Sequence, residues 1–158
     1  MRLWRITQAQ FANSALSGDG SFAFPGRWHR RGSRVVYTAD SLALAALEQL
    51  VHLRDNLEAV SYFAFRIEVP DDVRFAEVLA ASLPDAWDHP AAPHEQLRDQ
   101  GQAWLREGET VALLVPSAVI PDERNVLLNP AHPDFGRLVI SVPRPFRFDP
   151  RLLFPPNP

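Results

Sequence analysis

The sequence predicts a single α+β domain with small β-sheets, and three observations support this prediction. The chain has 158 residues, of which 46% are hydrophobic and 22% charged, which is typical of one globular domain with its own core. Its patterns run strand, loop, strand and helix, followed mostly by strands. Strands and helices do not alternate regularly, so a parallel sheet built from βαβ units is not expected.

The N-terminal part predicts two strands separated by a loop. Residues 3–6 (LWRI) have the pattern of a short strand, with Arg5 among apolar neighbours. Residues 13–26 contain recurring Asn, Ser, Gly and Pro, which favour a loop. Residues 34–39 (RVVYTA) contain β-branched and aromatic residues, and these predict the second strand.

A helix and a third strand follow. Residues 42–53 are rich in Leu, Ala, Glu and Gln, which favour helix, and Asp40 or Ser41 can cap its N-terminus. Residues 60–69 alternate between apolar and polar types, and this pattern predicts a strand with one buried face.

The C-terminal part predicts one more helix and two more strands, over residues 94–107, 111–120 and 137–142. Gly108 is placed to end the helix, and Pro116 interrupts the first of the two strands. Residues 75–92 are punctuated by proline and give no clear pattern.

Composition excludes several kinds of chemistry. The chain has no cysteine, and all sixteen of its basic residues are arginine, so thiolate ligands, cysteine nucleophiles and Schiff-base lysines are absent. The five histidines show no metal-binding spacing, so no metal is expected. The N-terminus has no secretory signal pattern and no apolar run is long enough to cross a bilayer, so we expect a cytoplasmic protein without a membrane partner.

Three residues could carry chemistry. Glu48 lies on the apolar face of the predicted helix, where its carboxylate needs a polar partner; either a catalytic role or a simple pairing with His52 is compatible with this position. Arg27 lies between Gly26 and a tryptophan, and its planar guanidinium matches phosphate or carboxylate. Ser117 follows an apolar strand but lacks the flanking glycines of a nucleophile elbow.

The four arginines within residues 25–39 also permit a different function. A non-catalytic module that binds RNA or DNA could use such a loop. The net charge of −3 and the lack of a basic helix argue against this alternative.

Four motifs in order resemble the RES-domain toxins of bacterial toxin–antitoxin systems. These are G-R-W at residues 26–28, a tyrosine in the following strand, a helical glutamate before L-V-H, and P-S-A-V followed by N-x-L-x-N-P. The resemblance runs from about residue 3 to residue 154, so residues 1–158 are interpreted as a single RES domain.

The resemblance implies an ADP-ribosyltransferase-like fold with small sheets around an NAD-binding cleft. It implies that NAD is the substrate, and that the nicotinamide–ribose bond is broken by water or by inorganic phosphate as co-substrate. In some members the ADP-ribose is transferred to a protein instead, which is the alternative activity. The implied partner is a helix-turn-helix-type antitoxin that covers the cleft, with a homodimer possible within that complex.

The resemblance also suggests roles for individual residues. Arg27, Glu48 and Ser117 match the family's Arg, Glu and Ser and are expected to be catalytic. The residues expected to bind NAD are Arg5, Arg27, Trp28, Tyr37 and Asn125, with Trp28 also expected to pack beneath its loop. The family commonly has Asn where this chain has His29, so the role of that side chain is open.

Overall fold

The computed structural model describes residues 1–52 and 60–152, and within them eight strands form one hydrogen-bonded sheet. The strands are β1 (Arg2–Gln8), β2 (Val36–Ala39), β3 (Tyr62–Glu68), β4 (Phe75–Glu77), β5 (Ala112–Pro116), β6 (Arg124–Leu128), β7 (Val139–Ile140) and β8 (Arg144–Phe146). Their order across the sheet is β4-β5-β6-β2-β1-β3-β7, and β8 also pairs with β3.

The sheet is antiparallel except at one edge, where β4 and β5 run parallel. The longest ladder joins β1 to β3, with pairs from Arg2–Glu68 to Gln8–Tyr62. By contrast, β1 and β2 share one pair in register, Trp4 with Ala39. The ladder is therefore short between the two strands that carry Arg5 and Tyr37.

Three α-helices accompany the sheet in the described residues: α1 (Asp19–Ala23), α2 (Leu42–Leu50) and α3 (Glu95–Glu107). Ser41 caps α2, because its hydroxyl accepts a hydrogen bond from the Leu44 N–H at 3.0 Å. Gly108 ends α3 in the left-handed region at φ 61°, a conformation that favours glycine. No helix in the described ranges is long and apolar enough to cross a membrane.

Helix α3 packs tightly against the loop that precedes β2. Trp28, Leu97, Trp104 and Leu127 form a buried apolar cluster between α3 and the sheet. At Gly101, a side-chain Cβ would overlap the Trp28 carbonyl oxygen, so only glycine permits this close approach. The contact fixes the position of the loop relative to the helix.

The α+β fold class is confirmed, and the expected small sheets are joined into one. The helix expected over residues 42–53 ends at Leu50, and residue 53 lies outside the described residues. The strand expected over 137–142 is reduced to Val139–Ile140, because a 3-10 helix occupies Pro133–Arg137. Strands β4, β6 and β8 were not predicted.

Candidate active site

A cavity of about 910 Å³ opens where β1, β2, β6, α2 and the start of α3 come together. Its volume is at the upper end of the range usual for small-molecule sites. Arg5, Arg27, Tyr37, Glu48 and Asn125 all line it. The fold thus brings five sequence-predicted residues, from separate segments of the chain, to one site.

The Glu48 carboxylate is held by two donors. The Ser117 hydroxyl donates to Oε1 at 2.7 Å, and the Asn125 side-chain amide donates to the same oxygen at 2.5 Å. In the described part of the chain, Glu48 pairs with these two donors and forms no ion pair with His52, which also lines the cavity. The second oxygen, Oε2, has no hydrogen bond to a described residue.

Ser117 is fully buried, and its hydroxyl group is saturated by protein contacts. Its oxygen accepts hydrogen bonds from the Val119 and Ile120 N–H groups, both at 3.0 Å, while its proton is donated to Glu48. A nucleophilic serine needs a base that removes its proton and a free lone pair. The observed bonding engages the whole hydroxyl group and holds Oε1 of Glu48 in place.

The sheet register explains why Ser117 and Asn125 meet. Asn125 lies on β6, opposite Val115 of β5 on one side and Ala39 of β2 on the other. Ser117 follows the end of β5, and its N–H donates to the Glu123 carbonyl at 2.9 Å. Because α2 starts shortly after β2, its second turn brings Glu48 to the place where Ser117 and Asn125 meet.

Arg5 is buried on most sides and reaches solvent through the cavity. Its Nη1 donates to the Tyr37 carbonyl at 2.8 Å, which links β1 to β2 where their ladder is short. Its Nε is buried without a hydrogen-bond partner in the described residues. Burial lowers the pKa of Arg5 to about 10, so the group stays cationic at neutral pH with donor capacity to spare.

Arg27 is held by the otherwise irregular segment around residue 88. Its Nη1 donates to the Trp87 carbonyl at 2.5 Å, and Nη2 lies 3.5 Å from the Asp88 carbonyl. Burial lowers the pKa of Arg27, and the nearby Glu48 and Asp88 carboxylates oppose this shift. Arg27 is therefore a fixed cation close to the Glu48 carboxylate.

His29 supports Tyr37 from behind the cavity wall. Its Nε2 lies 3.0 Å from the carbonyl oxygens of both Ser21 and Phe24, so this nitrogen carries the proton. Burial lowers the pKa of His29, which favours the neutral ring. The unprotonated Nδ1 then accepts the Tyr37 hydroxyl proton at 2.8 Å, and the hydroxyl oxygen accepts from the Trp28 N–H at 3.3 Å.

Two consequences follow for this corner of the site. With its hydroxyl satisfied and its pKa raised by burial, Tyr37 presents to the cavity a neutral aromatic ring. A Cβ added at Gly26 would lie 2.6 Å from the His29 ring and 2.7 Å from the Tyr37 hydroxyl. Glycine is therefore needed before Arg27 for the loop to seat on this pair.

The structure separates Trp28 from the other expected NAD-binding residues. Trp28 is 3% exposed and belongs to the apolar cluster beneath α3, so it supports the loop and does not line the cavity. Conversely, Asp88, His94 and Arg98 line the cavity and were not singled out from the sequence. Arg98 and His94 lie at the start of a correctly predicted helix, but no sequence pattern connected that helix to Arg27.

The chemistry available here is that of an oriented carboxylate with cations and an aromatic ring. A carboxylate held by two donors stabilises positive charge that develops nearby, and guanidinium groups bind phosphoryl oxygens. Within the described ranges, no group of three or more His, Asp or Glu side chains is placed to hold a metal ion.

Known proteins resemble this chain over nearly its whole length. A curated relative named "Toxin Res", from Yersinia enterocolitica, is 37% identical and covers 96% of this chain and 99% of its own length. A "Prs ADP-ribosylating toxin" from a Sphingobium species is 38% identical, covering 95% of each chain. A chain in the crystal structure of the M. tuberculosis MbcT–MbcA toxin–antitoxin complex superposes with a TM-score of 0.72 at 20% identity, covering 92% of this chain and 84% of its own.

The superposition on the MbcT–MbcA complex shows a shared fold, whereas the two sequence relatives show the family. A protein-family model described as "RES domain" matches residues 2–149. These residues include all eight strands and every side chain of the cavity described above. The chain belongs to the RES domain family.

Proposed function

We propose that this protein is the toxin of a toxin–antitoxin pair and that it breaks the nicotinamide–ribose bond of NAD. The observation that carries the proposal is the Glu48 carboxylate, fixed by Ser117 and Asn125 at the wall of a cavity that also holds Arg27. Two relatives that match nearly all of the chain are named as toxins, one of them ADP-ribosylating.

The reaction needs stabilisation of a positively charged sugar. When the bond between the ribose C1′ and the nicotinamide nitrogen breaks, its electron pair leaves with nicotinamide, which becomes neutral. The ribose is left with oxocarbenium character, as in glycoside cleavage. Glu48 would face this charge or hold the ribose hydroxyls through Oε2, the oxygen that its protein donors leave free.

The acceptor then completes the transfer. Water or inorganic phosphate attacks C1′ and gives up its proton, if it carries one, to the solvent. Attack by water gives ADP-ribose, and attack by phosphate gives ADP-ribose with a phosphate ester at that same carbon. Ser117 would not form a covalent intermediate, because both its lone pairs and its proton are already engaged.

The other site residues would orient the substrate. Arg27 and Arg5 supply guanidinium donors for the pyrophosphate, and the Arg5 Nε has no competing protein acceptor in the described residues. The Tyr37 ring would stack on nicotinamide, with His29 holding its hydroxyl. Asn125 acts on the carboxylate directly and completes its orientation.

A second candidate activity is ADP-ribosyl transfer to a cellular protein. The name of the Sphingobium relative favours it, since that protein is called a Prs ADP-ribosylating toxin. The same Glu48 geometry would serve both activities, because the bond that breaks is the same. One chain of the M. tuberculosis MbcT–MbcA toxin–antitoxin complex has this fold, which supports an antitoxin as partner, and we expect that partner to cover the cavity.

Product analysis tests the proposal. Purified protein is incubated with NAD in buffer with and without phosphate, and nicotinamide, ADP-ribose and its phosphate ester are separated by chromatography. We expect nicotinamide release that Glu48→Ala abolishes. A Glu48→Ala variant with an undiminished rate would contradict the proposal. In lysate, labelled NAD that marks a protein band favours the second activity over simple NAD breakdown.

A further inference from the structure

The cavity has a further cationic side chain to which the proposed function assigns no role. Three guanidinium groups and two carboxylates line the cavity in the described residues: Arg5, Arg27, Arg98, Glu48 and Asp88. The lining thus has an excess of one positive charge, although the whole chain has a net charge of −3. The cation without a role so far is Arg98.

Arg98 is held in place with donors to spare. Its Nε donates to the Gly26 carbonyl at 2.9 Å, which ties α3 to the residue before Arg27. Its Nη1 makes only a weak ion pair with Glu95, at 3.6 Å, and the Glu95 side chain is 65% exposed. Neither Nη1 nor Nη2 donates a hydrogen bond to a described residue.

His94 lies beside the two arginines. Its Nδ1 is buried and has no hydrogen-bond partner among the described residues. Burial, and then the nearby Arg27 and Arg98 cations, lower the pKa of His94. An anion placed between the His94 imidazole and the two guanidinium groups would therefore stabilise this arrangement.

We propose that Arg98 and His94, next to Arg27, form a binding subsite for a phosphoryl group at the α3 end of the cavity. A phosphoryl group has several oxygens in a tetrahedral arrangement, and it can accept hydrogen bonds from donors on different segments at once. The donors here come from the loop before β2 and from the first turn of α3. The Asp88 carboxylate also lines the cavity, so the lining as a whole keeps one excess positive charge for an anion.

The identity of that phosphoryl group rests on the proposed function. It is either part of the diphosphate of the dinucleotide substrate or free inorganic phosphate that attacks the ribose. Both sources present the same chemistry to Arg98, and two experimental arms separate them.

The first arm measures binding without turnover. Isothermal titration calorimetry records the affinity of the full chain for ADP and for inorganic phosphate, with acetate as a carboxylate probe. We expect Arg98→Met to weaken binding of at least one phosphoryl probe by about tenfold or more, and Arg98→Lys to recover part of it. The matched control is Arg106→Met, an exposed arginine on the same helix, which leaves the affinities unchanged.

The second arm measures turnover. A raised KM for NAD in phosphate-free buffer places the dinucleotide at Arg98, whereas a change confined to the phosphate dependence places free phosphate there. Loss of kcat alone, with unchanged affinity for both probes, would mean that Arg98 only positions Gly26 and would overturn the proposal. Equal affinities in wild type and Arg98→Met, or acetate binding as tight as phosphate, overturn it too.

A third measurement covers the case in which Arg98→Met does not fold. The imidazole NMR signals of His94 in the wild-type protein are followed while inorganic phosphate and then ADP are added. A shift with either probe supports the subsite, and no shift with both overturns it. If wild-type protein binds the probes through Arg98 but releases no nicotinamide, the proposed reaction fails while the phosphoryl subsite stands.

Discussion

Replacing Ser117 with alanine separates a positioning serine from a nucleophilic one. The structure assigns its proton to Glu48 Oε1 at 2.7 Å and its oxygen to two backbone N–H groups. A hydrogen bond to a charged group contributes about 1.5–3 kcal/mol. If that contribution is made to the transition state, Ser117→Ala lowers kcat about 10- to 150-fold. Removing a covalent nucleophile would cost about 10⁶-fold.

The assay is the steady-state rate of nicotinamide release, with KM and kcat determined separately. We expect the loss in kcat, because Ser117 has no exposed surface with which to contact substrate. The control Ser82→Ala removes an exposed hydroxyl that donates to the Leu79 carbonyl, and we expect it to leave both constants unchanged. An activity as low as that of a Glu48→Ala protein, or one equal to wild type, would refute this reasoning.

Stability provides a check on the same variant. Without the Ser117 oxygen, the Val119 and Ile120 N–H groups lose their acceptor, at a cost of about 1–3 kcal/mol. For a chain of this size each kcal/mol lowers Tm by about 2–4 °C. Ser117→Ala should therefore remain folded at 25 °C, so that its kinetics report on the site.

Two further predictions concern the corner around Tyr37. Gly26→Ala places a methyl group within 2.7 Å of the His29 ring, and we expect a loss of about 1–3 kcal/mol in unfolding free energy and weaker NAD binding. The control is Gly136→Ala, because a Cβ at Gly136 has no atom within 4 Å. Equal Tm values for the two variants would contradict the close packing at Gly26. His29 has its pKa lowered from 6.5 in the folded state, so the unfolded chain takes up the proton first as the pH falls. Stability is then full above pH 6.5 and declines below it. His29→Asn should reduce this decline in Tm, although His94 contributes with the same sign, and an unchanged slope would refute the neutral-imidazole assignment.

The sequence predicted the Glu48 end of the cavity because the residues there lie within recognisable motifs. Arg27, Glu48 and Ser117 each stand in a short pattern, and periodicity placed Glu48 on a helix. The contact of Asn125 with Glu48 was not predictable from spacing, because strand β6, which carries Asn125, was not recognised. Its five residues begin with Arg and Asn, which are poor signals for a strand, and pairing with both β5 and β2 is what forms it.

The α3 end of the cavity could not be predicted for a different reason. Arg98 and His94 lie about seventy residues from Gly26 and Arg27, and only the fold brings them together. The contact depends on Gly101, whose missing side chain lets α3 approach the Trp28 backbone. Likewise, residues 75–92 gave no pattern because Trp87 and Asp88 act through backbone carbonyls, which any residue type supplies.

The most direct test is nicotinamide release from NAD by wild-type protein and by Glu48→Gln. Glutamine keeps the shape of the side chain and an oxygen that can accept from Ser117 and Asn125, but it removes the negative charge. We expect release by the wild type and a rate at least about 100-fold lower for the variant, with Tm values that stay close. Equal rates, or no release by folded wild-type protein with or without phosphate, would contradict it.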